Sequence, residues 1–163
     1  MRFAPLVFAS LLSSASATSC LWQAFGAASK KAPLVVEVQV LRYGGLSGDP
    51  ARPNFMDVRV LDSLKGKAPA RELRVYGDNG ASGRRFVSGY PLNTRWILAL
   101  TKDFDAWPVK DRRPHVYAFP SCADPGLAVI GDHVFGTLGE AYNSSRPRAF
   151  FLQELRFTWR RLP

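Results

Sequence analysis

Cysteine is scarce in this chain, with two residues, Cys20 and Cys122, among 163. Two thiols exclude a framework of several bridges and any all-cysteine zinc site, which needs four. Histidine is as scarce, His115 and His133 being the only two. A serine or cysteine nucleophile needs a positioned base, and no Gly-x-Ser-x-Gly elbow accompanies them. Asp132-His133 has no set of partners at metal-ligand spacing. Asp103, Asp105 and Asp111 lack the spacing and the glycine of a calcium loop, and no phosphate-cradling glycine motif occurs. The expectation is therefore a non-enzymatic protein with no catalytic residue, no metal and no cofactor. Acidic residues are also few, 13 against 22 Lys plus Arg, for a net charge of +9. Long apolar runs are missing apart from residues 3–12, which are too short for a stable membrane span. What is present, 47% hydrophobic and 21% charged residues, suits one packed domain.

The N-terminus reads as an address. Arg2 precedes the apolar run, and Ala15-Ser16-Ala17 matches the small-x-small pattern that a signal peptidase cuts. Cleavage there removes residues 1–17, leaves Thr18 first, and lowers the net charge only to +8. The product is expected to be exported, periplasmic or secreted. A minority alternative is a lipid anchor on Cys20, since Ala17-Thr18-Ser19-Cys20 loosely resembles a lipobox with Ala in place of the usual first Leu. In an oxidising compartment Cys20 and Cys122 form an even pair. Their bridge would close a loop of about a hundred residues, worth about 4–5 kcal/mol in the chain-entropy account. Two independent thiols are the alternative, and a lipidated Cys20 would orphan Cys122.

The chain alternates with period two from Val36 onward and again through Met56, Val58 and Val60, the mark of half-buried strands, whereas 95–101 is a mostly apolar run expected to be the most buried strand. Strands are expected at 34–43, 55–64, 72–76, 95–101 and 115–119, joined by Gly-, Pro- and Asn-rich connectors. In the first, Val36, Val38, Val40 and Arg42 share one face, and Glu37, Gln39 and Leu41 the other. Five short antiparallel strands suit an all-β, OB-like Greek-key barrel better than a sandwich of about seven. Residues 139–163 form a short basic extension, with helix and strand both open. Leu155, Phe157 and Trp159 alternate, whereas 149–155 could open a helix after Pro147.

The order of these features resembles the netrin-like, or TIMP-like, family of secreted OB-fold domains. Val60-Leu61-Asp62-Ser63-Leu64-Lys65-Gly66 is similar to the family's Val-x-x-x-x-Lys-Gly turn. Phe86-Val87-Ser88-Gly89 before Trp96-Ile97-Leu98-Ala99-Leu100 is similar to its Phe-x-x-Gly element, and Pro120-Ser121-Cys122 to its late cysteine. The match spans residues 18–138. Thr18-Ser19-Cys20 looks like a Cys-x-Cys start whose first cysteine has become Thr. The cysteine that pairs with it in the family is also missing, from Ser82-Gly83-Arg84-Arg85-Phe86. The second family bridge, Cys20 to Cys122, keeps both halves.

The resemblance implies binding through the mature N-terminal ridge, with Thr18, Ser19, Cys20, Arg84 and Arg85 as the residues concerned. Animal members inhibit metalloproteinases by chelating the proteinase's zinc with the first residue's amine and carbonyl. Thr18 could supply both, although the lost bridge leaves it less rigidly held. The expected partner is a protein, such as a metalloproteinase. The alternative is an anionic envelope polymer held by scattered Arg and Lys, with Trp96, Trp107, Tyr76 and Tyr90 available for stacking. Nucleic acid is not expected outside the cytoplasm, nor an integral membrane span, and a monomer is expected.

Overall fold

A computed structural model describes residues 21–45, 53–78, 83–102, 104, 113–138, 144–147, 149, 151 and 153. The leader, Thr18, Ser19 and Cys20 lie outside the described residues, as do Trp107 and the alternating tail after residue 153. The described chain is mostly β, with one α-helix, α1 (Phe25–Lys31). Its strands are β1 (Leu34–Gly44), β2 (Phe55–Lys65), β3 (Glu72–Tyr76), β4 (Arg95–Leu100), β5 (Val116–Ala118), β6 (Gly126–Ile130), β7 (His133–Gly136) and β8 (Ser144–Pro147). They form a single sheet in the order β5-β3-β2-β1-β4-β6-β7-β8.

The first five strands coincide with the alternating segments of the sequence. The expected five-stranded sheet is nonetheless too small, because β6, β7 and β8 continue it beyond β4 as antiparallel partners. The open order has β5 at one end, paired parallel to β3. Just past β4, Thr101 and Ala118 of β5 exchange two backbone hydrogen bonds of 2.9 Å. Within the basic extension, β8 is an edge strand of the same sheet. Ala149, Phe151 and Gln153 beyond it are helical, and Phe151 is buried against Phe25 of α1.

Both faces of β1 and β4 are covered, which corrects the half-buried reading of β1. Leu34, Val36, Val38 and Val40 join Met56, Val58, Leu98, Leu100 and Phe119 in one core. The opposite side chains, Val35, Ile97 and Ala99, meet Phe25, Ala28, Leu127, Val134 and Phe151 in a second core. Glu37 lies on that second side and is fully buried, with Arg95 Nη2 donating to its Oε1 at 2.6 Å. A polar residue in the alternation therefore does not mark solvent here. It marks a second layer with a paired charge.

The face assignment of Arg42 is also corrected. Val40 stands opposite Val58, but Arg42 stands opposite Asp57, so β1 gains a residue between them. Such a bulge shifts the alternation by one place. Arg42 thereby leaves the hydrocarbon face for the outer surface of the sheet.

Candidate functional site

Three segments converge at one end of the molecule: 21–24 before α1, 83–86 before the 3₁₀ turn Val87–Gly89, and 121–124 before β6. Gln23 lies parallel to Ala123. Its amide donates to the Cys122 carbonyl at 2.9 Å, and its carbonyl accepts from Asp124 N–H at 2.9 Å. Cys122 N–H donates to the Gly83 carbonyl at 2.8 Å, which ties the third segment in. Cys122 takes a left-handed backbone (φ 54°), and so does Gly83 (φ 61°). No thiol among the described residues is free. A side chain on Gly77 would approach Arg85 O to 2.6 Å, so glycine lets the 83–86 segment lie against the end of β3.

On this backbone frame the side chains present an apolar, charge-compensated surface. Leu21 is 88% exposed, Phe86 53% and Trp22 45%. The Arg85 guanidinium stacks 4.3 Å over the Trp22 ring. Its Nε donates to Asp124 Oδ1 at 2.8 Å, and Nη2 pairs with the same oxygen. Arg85 therefore belongs to the surface. Arg84 does not. It is 4% exposed and donates from Nε to the Phe119 carbonyl at 2.7 Å, so it anchors the loop to the core and offers nothing to a partner. Adjacent arginines on an extended segment point to opposite sides, and here one of those sides is interior. Phe-x-x-Gly closes the segment: Val87 is fully buried, and Tyr90 packs edge-on to Trp96 at 4.6 Å. Burial pushes the Tyr90 phenol well above its ordinary pKa.

The aromatic residues available for stacking are mostly core. Tyr76 and Tyr90 are buried, and Trp96 is half-buried with Nε1 donating to Thr94 Oγ1 at 2.8 Å. Many cations are likewise committed. Lys65 Nζ donates to the Ser29 and Lys30 carbonyls at the end of α1, and Lys102 Nζ to the Pro114 and Val116 carbonyls. Arg59 faces Glu72 at 3.8 Å.

One outer row is different. Arg42, Asp57 and Arg74 are successive cross-strand neighbours on β1, β2 and β3. Arg42 Nε donates to Asp57 Oδ2 at 2.8 Å, and Arg74 donates from Nε to Oδ1 at 2.8 Å and from Nη2 to Oδ2 at 3.1 Å. Burial alone would raise the Asp57 pKa, but the hydrogen bonds and charges of Arg74 and Arg42 outweigh it and hold the carboxyl below its ordinary value. Arg74 stacks 4.0 Å over the Phe55 ring. The sequence carries no mark of this row, because its members lie on three strands and one is turned outward by the bulge.

His115 precedes β5 and is half-buried, whereas His133 lies exposed on β7 beside Phe135. Among the described residues no group of three or more His, Cys, Asp or Glu could hold a metal ion, and no helix is long and apolar enough to cross a membrane. No protein-family model matches the chain, and no curated protein is significantly similar to it.

Proposed function

We propose that this chain is an exported, non-enzymatic protein-binding module of the TIMP-like kind, which docks a partner through the ridge built by segments 21–24, 83–86 and 121–124. The observation that carries the reading is the N-terminal segment itself. It runs parallel to residues 122–124 on backbone hydrogen bonds while its Leu21 and Trp22 side chains stay in solvent. Aromatic and Arg side chains on a preorganised backbone are the usual energetic anchors of protein interfaces. Three of the seven exposed large hydrophobics among the described residues sit on this ridge.

Two further proposals accompany it. The core is an OB-like barrel, supported by the path β1-β2-β3-β5, the parallel β3–β5 pair and the Thr101–Ala118 bonds that bring β5 to the end of β4. Cys20 and Cys122 form the bridge, supported by the absence of a free thiol at Cys122 and by Gln23, three residues beyond Cys20, bonding to the Cys122 carbonyl. Thr18 and Ser19 then lead the ridge, and Thr18 supplies its amine and carbonyl to a metalloproteinase zinc.

The test is inhibition of a panel of extracellular zinc proteinases by protein that begins at Thr18, with its first residue verified by N-terminal sequencing. Inhibition that disappears when one alanine precedes Thr18 supports the chelating route. Equal potency with that extension removes it, leaving docking by Trp22, Phe86 and Arg85. A Trp22→Ala protein that binds every captured partner as tightly as wild type overturns the ridge.

A further inference from the structure

Main-chain bonds join segments 21–24, 83–86 and 121–124, but they stop short of the first exposed residues of the ridge. Gln23 is the residue that bonds to both Cys122 and Asp124. Leu21 and Trp22 precede it, and among the described residues neither makes a backbone hydrogen bond. What holds Trp22 is a side chain of the second segment. The Arg85 guanidinium lies 4.3 Å over its ring. The edge of the same group turns to Asp124, with Nε donating to Oδ1 at 2.8 Å and Nη2 pairing with that oxygen too. One planar cation therefore touches all three segments. It stands on 83–86, covers a ring of 21–24 and grips a carboxylate of 121–124. Its own backbone is pinned, because Asp78 N–H donates to the Arg85 carbonyl at 2.9 Å. The Asp124 backbone is pinned as well, its N–H donating to the Gln23 carbonyl at 2.9 Å. Burial does most to raise the Tyr90 pKa, and Arg85 and Asp124 act on it with opposite signs, which places the pair beside that buried phenol.

We propose that Arg85 is a positioning residue of the ridge: it clamps the Trp22 ring to Asp124, so that the apolar anchor is assembled before a partner arrives. The inference rests on the docking role proposed for the ridge, and it makes Arg85 the support of a contact in place of a contact itself. A ring on a loose extended segment would have to be ordered on binding, at a cost in affinity. A planar guanidinium suits the task, since its face stacks on an indole while its edge pairs with a carboxylate. An ammonium is a point charge with neither face nor fork, so lysine does not replace it. The two roles make opposite demands on Asp124. If Arg85 met the partner directly, the carboxylate would compete for it, and removing Asp124 would keep or raise affinity. If Arg85 acts through Trp22, the carboxylate is needed, and removing it weakens docking.

The first half of the experiment needs no partner. In protein that begins at Thr18, nuclear Overhauser contacts are measured between the Arg85 side chain and the Trp22 indole, together with amide exchange at Gln23. The wild type is expected to show the contacts. Arg85→Lys and Asp124→Ala are each expected to lose them and to speed Gln23 exchange at least about fivefold, with β1 and β4 amides at wild-type rates. Missing contacts in the wild type, or unchanged exchange in both variants, overturns the clamp, and the wild-type result stands even if a variant misfolds. The second half measures affinity for the tightest-binding zinc proteinase of the panel. Asp124→Ala is expected to weaken binding about fivefold in the wild-type background and less than about twofold in a Trp22→Ala background. Undiminished binding by Asp124→Ala, or equal losses in the two backgrounds, overturns the positioning role. A panel in which no proteinase binds counts against the docking reading alone, and the exchange rates still decide the clamp.

Discussion

The ridge and the arginine row are both surface features at strand ends and edges, yet they are made in opposite ways. Main-chain hydrogen bonds hold the ridge, and its one exposed cation, Arg85, is spent on Asp124 and on the Trp22 ring. Side-chain ion pairs hold the row, and a bulge in β1 brings Arg42 onto its face. The first presents apolar surface beside one paired arginine, and the second presents two guanidinium groups that share one carboxylate. A count of Arg and Lys along the sequence treats the two alike. Partner chemistry follows what remains after internal pairing, not the total.

Removing what fixes the ridge should have the largest effect. On the proposed Cys20–Cys122 bridge, Cys122→Ser is expected to lower the unfolding free energy by about 4 kcal/mol, the entropy returned when a loop of about a hundred residues opens. Urea unfolding of oxidised protein measures it, and a variant as stable as wild type would remove the bridge from the account.

The row should respond more weakly and through pH. Asp57→Asn is expected to cost about 1–2 kcal/mol near neutral pH, since it leaves two guanidinium groups that are able to reach water. The Asp57 pKa is lower folded than its ordinary 3.8. The unfolded chain therefore binds the proton first as pH falls, and the contribution is full above about pH 4 and lost below it. Thermal unfolding from pH 6 to pH 2 should show a shallower acid decline for the variant, and parallel curves would contradict the assignment.

The smallest effect on stability should come from the ridge surface. Trp22→Ala is expected to change unfolding free energy by no more than about 0.5 kcal/mol, because the ring is half exposed and packs mainly on a guanidinium. The same change should cost at least about 2 kcal/mol in partner affinity if Trp22 is an anchor. Paired calorimetric and binding measurements separate the two. A large stability loss would mean that Trp22 is a structural cover and not a contact.

The strands that alternated over five or more residues were readable, because β-branched runs such as Val36–Val38–Val40 need little help from context. β6 and β7 were not, although Ile130-Gly131-Asp132-His133 contains a Gly-Asp pair of the kind that closes a two-residue hairpin, and Gly131 does adopt a positive φ of 57°. The expected strands stop at residue 119, so that signal goes unread. α1 is a seven-residue helix, too short for a helical period to register. At the site, Arg85 and Cys122 could be singled out from sequence, whereas Trp22 and Phe86 became notable only once their exposure was known. Arg84 went the other way. Glu37 shows the same limit from the inside, since nothing local announces that a second layer will cover it.

The extra residue between Val40 and Arg42 lets one strand serve two masters. Val40 answers to oil and Arg42, two places on, to water, while Tyr43 after it returns to the oil. Had the pairing run on from Val40 without the bulge, Arg42 would stand opposite Met56 and turn its guanidinium into the hydrocarbon.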